Sequence, residues 1–278
     1  MTAPRSFWKI PQIIGHLAAG STIALYIGLR SRLVGRPTWV PAAVRWWHRR
    51  LCSILGIRMR VHGRVDEDSL LVGNHISWLD IPVVGAHGEI GFLSKAEVRA
   101  WPLIGWLAEI AGTHFIERGA HQAQAISEVL LRRITQGHSL MIFPEGTTSD
   151  GTSVLRFHPR LFGLVQDTGL RIQPVAIAYH RGEDKAPDPI AAFVGDDTLL
   201  ESLLRIIRHP DLLVTVHFLP PLPVDQGVQR RVLAERTRLA ITQALGMDPA
   251  EGWRGADGHS DADRSEPESA LVEAPHAA

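Results

Sequence analysis

A histidine and an aspartate stand five positions apart in the segment NHISWLD, at His75 and Asp80. His75 follows a short apolar run and Asp80 stands where a helix is expected to begin, so the intervening turn can bring the carboxylate against the imidazole. Such a contact orients the ring and stabilises its charged form, which leaves the second ring nitrogen as a general base for a substrate hydroxyl. The alternative is a histidine that closes a turn and an aspartate that caps a helix, and the pair alone does not separate the two.

The segment FPEGTTSDG, residues 143–151, follows an apolar run and carries an acid, a glycine and several hydroxyl groups. Gly146 permits close approach of the backbone, and successive N–H groups in such a turn form a site for an anion. Glu145, Thr147 and Thr148 add polar groups beside it. The alternative is a turn without a ligand, because residues such as Ser, Asp and Gly are favoured in turns for local backbone reasons.

Two cations lie at other predicted strand ends: Lys95 closes the run IGFLSK, and Arg118 closes THFIER. The planar guanidinium of an arginine matches the geometry of a phosphate or carboxylate, although a solvated strand end has the same pattern without a ligand. Ligands of α/β proteins gather where loops leave the carboxyl ends of strands. These segments therefore predict a binding site along one edge of a sheet.

Strands and helices alternate along residues 56–248, and this alternation predicts an α/β fold in which helices pack on a sheet. Strands are predicted at 57–65, 69–75, 90–97, 113–118, 138–146, 171–180, 191–195 and 212–222. Helices are predicted at 78–86, 102–112, 121–137, 158–169, 198–208 and 228–246.

Residues 1–55 are apolar and basic, and we expect them to form helices that associate with a membrane. The apolar stretch 10–29 is long enough for a span, and the arginines that follow it favour the cytoplasmic side over a secretion signal. Around Trp46 and Trp47 lie further arginines, a composition typical of the lipid headgroup layer. Whether the helices span the bilayer or lie in its interface stays open, and a buried core helix is the alternative. The adjoining apolar stretch argues against a nucleic-acid partner.

Overall composition is that of a globular protein, with 45% hydrophobic residues and 29 basic against 29 acidic residues, so net charge indicates no class of partner. The single cysteine, Cys52, excludes an intramolecular disulfide and fits a reducing compartment. Residues 249–278 lack an apolar period and are rich in Gly, Pro, Ser and acids, which predicts a disordered tail.

In their order along the chain, these segments resemble the motifs of the glycerolipid acyltransferase family, of which 1-acylglycerol-3-phosphate acyltransferase is the best-known member. The family carries a histidine, four residues and an aspartate, as His75 and Asp80 do here. Its further blocks are Phe-Ile-x-Arg, Phe-Pro-Glu-Gly-Thr and an apolar strand with a proline, matched at 115–118, 143–147 and 172–178. The linking Lys-x-Glu and Pro-x-x-Gly also occur, and order and spacing agree from about residue 71 to residue 178.

The resemblance implies an O-acyltransferase of phospholipid synthesis that moves a fatty acyl chain from a thioester, acyl-CoA or acyl-carrier protein, to the hydroxyl of a lysolipid. It implies His75 as the general base and Asp80 as its orienting partner. A thioester is reactive enough that base activation and oxyanion stabilisation suffice, so no metal, cofactor or covalent intermediate is needed. A membrane-bound lysolipid and a basic N-terminus together imply an enzyme of the inner, cytoplasmic membrane with its catalytic domain facing the cytoplasm.

The same resemblance implies that the acceptor is bound by the turn Glu145, Gly146, Thr147 and Thr148. Its head group would lie at Arg118. The oxyanion would be held by a backbone N–H or by Lys95, and the sequence does not decide between them. More distant readings are a lipid hydrolase and a non-catalytic membrane-binding protein.

One departure from the family concerns the acceptor. Members that act on glycerol phosphates commonly have an arginine after Glu-Gly-Thr, where this chain has Thr148, and His158 stands where relatives often have a lysine. A lost bidentate arginine–phosphate contact costs on the order of 2 kcal/mol. The form FPEGTTSDG also resembles enzymes that acylate a lyso-ornithine lipid, whose head group carries a carboxylate and amines. Formation of phosphatidic acid is placed first on the breadth of the family, and lyso-ornithine acylation is the alternative.

Overall fold

The computed structural model describes residues 8–116, 139–163, 165, 170–184, 186–209, 211–224 and 227–250. Arg118, the predicted helix at 121–137 and all but the start of the predicted tail lie outside this part of the chain.

Helices and strands alternate along the described residues, as the sequence predicts. The α-helices are α1 (Lys9–Leu33), α2 (Val40–Leu55), α3 (Asp80–Gly85), α4 (Ala96–Arg99), α5 (Ile104–Ala111), α6 (Leu199–Arg208) and α7 (Arg230–Ala244). The strands are β1 (Arg58–His62), β2 (Ser69–Gly73), β3 (Ile90–Lys95), β4 (Thr113–Ile116), β5 (Ser139–Ile142), β6 (Arg171–Arg181) and β7 (Leu212–Phe218).

The strands form one seven-stranded sheet in the order β1-β7-β6-β2-β5-β3-β4. Neighbours are parallel except β6 and β7, which are antiparallel. All of β2 and all of β5 are buried, as expected for inner strands of a sheet covered on both faces. The predicted α/β class, a sheet with helices packed on it, is confirmed.

The sheet order brings two of the chemically interesting segments together. In the parallel register Leu70 pairs with Leu140 and Val72 with Ile142, so β2 and β5 end at nearly the same level. The turns that follow Gly73 and Ile142 therefore leave the same edge of the sheet side by side. This edge is the carboxyl edge at which α/β proteins hold their ligands.

Helix α1 packs on α2 and α5 through a narrow face that includes Ile13, Gly20 and Ile27. A Cβ atom at Gly20 would lie 2.6 Å from Nε1 of Trp47, so the glycine allows the two helices to approach closely. At its first turn, the Nζ atom of Lys9 donates hydrogen bonds to the carbonyls of Leu55 at 2.8 Å and Ile207 at 3.2 Å. The start of α1 is thus fastened to the ends of two other helices.

The opposite face of α1 is apolar and exposed. Its large exposed side chains are Ile10, Ile14, Leu25, Tyr26, Leu29 and Leu33. Among the described residues, α1 alone has the length and composition of a helix that could cross a membrane.

The strand predicted at 191–195 is wrong. A short 3-10 helix, Pro189–Ala191, leads instead into an irregular segment whose backbone is bonded to side chains and to another loop. The guanidinium of Arg205 donates hydrogen bonds to the carbonyls of Ile190 at 3.1 Å and Ala192 at 2.6 Å. The N–H of Phe193 donates to the carbonyl of Ile76 at 3.0 Å. Because these groups are already satisfied, no strand ladder is needed to pair them. Of the helix predicted at 158–169, the described residues begin with a 3-10 turn, Pro159–Phe162; residues 164 and 166–169 lie outside the described part of the chain.

Candidate active site

The site begins where β2 ends, at Asn74. The side-chain amide of Asn74 donates to the carbonyl of Ile177 and accepts from its N–H, both at 2.9 Å. This pair of bonds ties the end of β2 to the middle of β6. It fixes the backbone from which the next residue, His75, projects.

The turn after Asn74 wraps around the carboxylate of Asp80, the first residue of α3. The Nδ1 atom of His75 lies 2.7 Å from Oδ2 of Asp80, and the N–H groups of Ile76 and Ser77 donate to the same oxygen at 2.8 and 2.9 Å. Asp80 is completely buried. Because the carboxylate is the acceptor, Nδ1 of His75 carries the proton and Nε2 is left with its lone pair.

The imidazole of His75 lies between the protein and the solvent. It stacks on Phe143 with a centroid separation of 4.1 Å and an interplanar angle of 14°, and 21% of its side chain is exposed. Within the described part of the chain, Nε2 has no hydrogen-bond partner. The ring is therefore held by Asp80 and Phe143 with its basic nitrogen open to a substrate.

Sequence reasoning missed one member of the site, Tyr179. Its hydroxyl donates to Oδ1 of Asp80 at 2.7 Å, from a side chain that is fully buried in β6. The only signal in the sequence is a tyrosine at the end of the apolar run IQPVAIAY, since a buried tyrosine hydroxyl needs a partner. Nothing in the sequence says that the partner is Asp80.

Glu145 is buried next to the backbone of His75, with 4% of its surface exposed. Its Oε2 accepts a hydrogen bond from the N–H of His75 at 3.3 Å. Burial raises the pKa of this carboxyl well above its ordinary value, although the N–H groups of His75 and Leu155 oppose the effect; the nearby charge of Asp80 raises the pKa further. The carboxyl that the sequence assigns to acceptor binding is thus next to the dyad and favoured in its protonated form.

Gly146 and Thr147 form the exposed part of the same turn. Gly146 has φ 70°, a conformation that suits glycine, and its N–H donates to the carbonyl of Phe143 at 3.2 Å. A Cβ atom at Gly146 would lie 3.2 Å from the ring of His158. The backbone N–H of His158 donates to the carbonyl of Pro144 at 2.9 Å. The imidazole of His158 therefore lies over the glycine.

Thr148 and the residue after it join the turn to other segments. The hydroxyl of Thr148 donates to the backbone carbonyl of Phe193. The N–H of Ser149 donates to the carbonyl of His75 at 2.8 Å. The hydroxyl of Thr148 is thus engaged with the protein, in contrast to the ligand-facing role that the sequence suggests for it.

Of the two basic residues predicted to bind substrate, only Lys95 lies within the described residues. Lys95 ends β3, which lies beside β5, so its backbone is at the same edge of the sheet as the dyad. Arg118 lies beyond the last described residue of β4.

An apolar cavity of about 240 Å³ lies between the N-terminal helices and the rest of the domain. Trp78 and Ile81, which lie within two residues of Asp80 in the chain, form part of its wall. Most of the wall comes from α1, α2 and α5, with side chains such as Ile27, Trp47 and Leu107, and β3, α4, β4 and α6 also contribute. A cavity of this composition favours an apolar ligand over water.

The chain is similar to known acyltransferases. The family described as Acyltransferase matches residues 58–178. A lyso-ornithine lipid O-acyltransferase of Pseudomonas aeruginosa is 43% identical over 248 residues, which are 88% of this chain and 95% of that protein. A protein of the same name from Rhizobium meliloti is 35% identical over 80% of each chain.

More distant relatives have another acceptor in their name. A 1-acyl-sn-glycerol-3-phosphate acyltransferase of Neisseria meningitidis is 30% identical over 64% of this chain and 70% of that protein. The crystal structure of the 1-acyl-sn-glycerophosphate acyltransferase of Thermotoga maritima is similar over 88% of this chain and 95% of that chain, with a TM-score of 0.61 and 19% identity. This last likeness shows a shared fold.

Proposed function

We propose that this chain, which belongs to the acyltransferase family, acylates the free hydroxyl of a lyso-ornithine lipid. The chain is a lysolipid acyltransferase, like the relatives that it matches over most of their length. The acceptor is the proposed part, and here the order of the two sequence-based candidates is reversed. Identity is 43% to a lyso-ornithine enzyme over nearly the whole chain, against 30% to a glycerol-phosphate enzyme over 64% of it.

The choice of acceptor rests on the type of residue at position 148 and on its hydrogen bond. Thr148 stands at the position where glycerol-phosphate enzymes commonly have an arginine. Its hydroxyl donates a hydrogen bond to the carbonyl of Phe193. The turn therefore offers no guanidinium to a phosphate at this point. A head group with a carboxylate and amines does not require that dense positive charge, whereas a dianionic phosphate does.

The dyad supplies the proton transfers. Nε2 of His75 takes the proton of the acceptor hydroxyl as its oxygen bonds to the thioester carbonyl carbon, and the carbonyl electrons move onto oxygen. When the oxyanion re-forms the carbonyl, the carbon–sulfur bond breaks and the thiolate takes the proton back from Nε2. Asp80 stabilises the imidazolium that exists between these two steps.

The apolar cavity between the N-terminal helices and the rest of the domain supports a fatty acyl chain as the group transferred. Trp78 and Ile81, close to Asp80 in the chain, form part of its wall. In the proposed arrangement an acyl chain lies in this cavity and its carbonyl is directed at Nε2 of His75. Either acyl-CoA or an acyl-carrier protein would deliver the same thioester.

Helix α1 supports association with a bilayer by its exposed apolar face. Its other face is buried against α2 and α5, and Lys9 fastens its start to Leu55 and Ile207. This packing favours a helix that lies in the interface over one that leaves the domain to span the membrane. The exposed Trp46 and the arginines of α2 suit the headgroup layer of an inner membrane with the catalytic domain on its cytoplasmic side.

The test compares acceptors with the purified full chain. Labelled palmitoyl-CoA and palmitoyl-carrier protein are each offered with lyso-ornithine lipid or with lysophosphatidate in mixed micelles, and kcat/KM is measured for each pair. We expect at least about a tenfold preference for lyso-ornithine lipid, since one lost arginine–phosphate contact is worth that factor. A preference for lysophosphatidate would overturn the proposed acceptor, and release of free fatty acid without any acceptor would indicate a hydrolase.

A further inference from the structure

The buried carboxylate of Asp80 needs a partner for each of its oxygens. Oδ2 accepts from Nδ1 of His75 and from the N–H groups of Ile76 and Ser77. Oδ1 accepts from the hydroxyl of Tyr179 at 2.7 Å. With no exposed surface on Asp80, water cannot replace a missing donor, and an unpaired charged oxygen in such a place is strongly unfavourable.

The fold brings Tyr179 to Asp80 from β6, the strand next to β2 in the sheet. Residues 175, 177 and 179 of β6 face the same layer of helices, because side chains alternate along a strand. The amide of Asn74 fixes the register of Ile177 against the end of β2. Tyr179 is two residues farther along, which places its hydroxyl at the first turn of α3.

Tyr179 remains a donor throughout the working range of pH. Burial raises its pKa well above the ordinary value, and the negative charge and hydrogen bond of Asp80 raise it further. Two other titratable groups of the described chain interact with this pair: Glu145 with Asp80, and Cys52 of α2 with Tyr179. Burial keeps the thiol of Cys52 protonated by raising its pKa to about 12.

We propose that Tyr179 is a positioning residue for the acyl transfer: its hydroxyl holds Oδ1 of Asp80, so that Oδ2 stays directed at Nδ1 of His75 and carries the charge that stabilises the imidazolium. The inference rests on the proposed role of His75 as general base. Tyr179 does not touch the substrate in this scheme. It acts through Asp80, in the way that a second layer of hydrogen bonds orients a functional group.

The first test is Tyr179→Phe, which removes the hydroxyl and keeps the ring that packs in the core. Loss of a donor raises the affinity of the His75–Asp80 pair for a proton, so the acidic limb of the kcat/KM profile moves to higher pH. We expect kcat to fall by about 10- to 100-fold at neutral pH, with KM for both substrates unchanged. Thr237→Val is the matched control, because it removes a fully buried hydroxyl of α7 that bonds only within its own helix.

A second test strengthens the donor and does not depend on the stability of the first variant. The sequence has only two tyrosines, so in a Tyr26→Phe background the incorporation of 3-fluorotyrosine alters Tyr179 alone. A fluorinated phenol is more acidic and donates a stronger hydrogen bond. The acidic limb should then move to lower pH, opposite to the effect of Tyr179→Phe.

Three results would overturn the inference. These are an unchanged kcat in Tyr179→Phe, a lower kcat without a shift of the limb, and a fluorotyrosine profile that does not move to lower pH. Each of them, obtained beside an inactive His75→Ala variant, removes the role of Tyr179 and leaves the role of His75 intact. Full activity of His75→Ala would instead remove the premise on which both rest.

Discussion

The hydroxyl of Thr148 donates to the carbonyl of Phe193, while the N–H of Phe193 donates to the carbonyl of Ile76 at 3.0 Å. Three segments are joined by these two bonds: the turn after β5, the irregular segment before α6 and the turn that carries the dyad. Thr148 therefore has a structural task at the position where the family resemblance implies a phosphate-binding arginine in members that act on glycerol phosphates. We therefore expect the hydroxyl of Thr148 to contribute to local stability.

Thr148→Val should destabilise the protein without converting its acceptor preference. The substitution keeps the shape of the side chain and leaves the partly buried carbonyl of Phe193 without its donor, so we expect a loss of about 1–2 kcal/mol in the free energy of unfolding. Chemical denaturation measures this loss. Thr147→Val is the control, since the hydroxyl of this exposed neighbour makes no hydrogen bond within the described structure. Equal losses of stability in both variants would contradict a stabilising role of the bond from Thr148 to Phe193.

His75→Ala should abolish acyl transfer and retain the fold. Removing the general base costs about 10²- to 10⁴-fold in kcat, whereas the partly exposed ring contributes little to the core. Initial rates with labelled acyl-CoA and circular dichroism check the two halves of this expectation. His62→Ala, on the exposed edge strand β1 and three strands from β2 in the sheet order, should keep wild-type rates.

Glu145→Gln should change how stability depends on pH. The pKa of Glu145 is raised in the folded state, mainly by burial, so the folded protein holds this proton more tightly than the unfolded chain. Its contribution is fully present below the unfolded pKa of 4.5 and is lost as the pH rises towards the folded value, by at most about 1.4 kcal/mol per pH unit. Gln is neutral at every pH, so the variant should lose less stability than wild type between pH values of about 5 and 8.

Urea unfolding at a series of pH values measures that slope. Glu183→Gln is the control: a hydrogen bond from Arg60 lowers the pKa of this exposed carboxyl, so it stays ionised in both states over the same window. Parallel pH dependence in wild type and Glu145→Gln would mean that Glu145 is ionised in the folded protein.

Ala108→Phe should shift the enzyme towards shorter acyl donors. Ala108 lies in the wall of the apolar cavity, and a phenyl ring there removes space that a long chain would use. We expect the ratio of kcat/KM for palmitoyl over decanoyl donors to fall by about tenfold, the usual scale of an overpacked site. Ala100→Phe, at an exposed position outside the cavity, should leave the ratio unchanged; a fall in both variants would argue against the cavity as the acyl site.

Leu29→Glu combined with Leu33→Glu should weaken binding to vesicles of phosphatidylglycerol. These side chains are 59% and 75% exposed on the apolar face of α1, where a charge would oppose burial among lipids. Co-sedimentation should show a decrease of roughly tenfold or more in the partition coefficient. Val61→Glu, on the edge strand β1, is the control; equal binding of all three proteins would exclude α1 as the docking surface.

The sequence by itself determined what is local. The alternation of strands and helices is a matter of hydrophobic period and turn residues, so the α/β class and most of the elements follow from it. The contact of His75 with Asp80 spans one short turn, so the spacing within NHISWLD permits it, and the order of the family motifs favours it over a turn-closing histidine and a helix-capping aspartate. The family resemblance rests on motifs of the same short range.

Tertiary structure decided what depends on residues far apart in the chain. Tyr179 reaches Asp80 across 99 positions, and Thr148 reaches Phe193 across 45, because the sheet order places β6 and the segment before α6 beside the dyad. The predicted strand at 191–195 failed for the same reason, since distant side chains and loops satisfy its backbone. A pattern of residue types records the local preference of a segment, whereas the partner of a buried polar group is chosen by the packing of the whole chain.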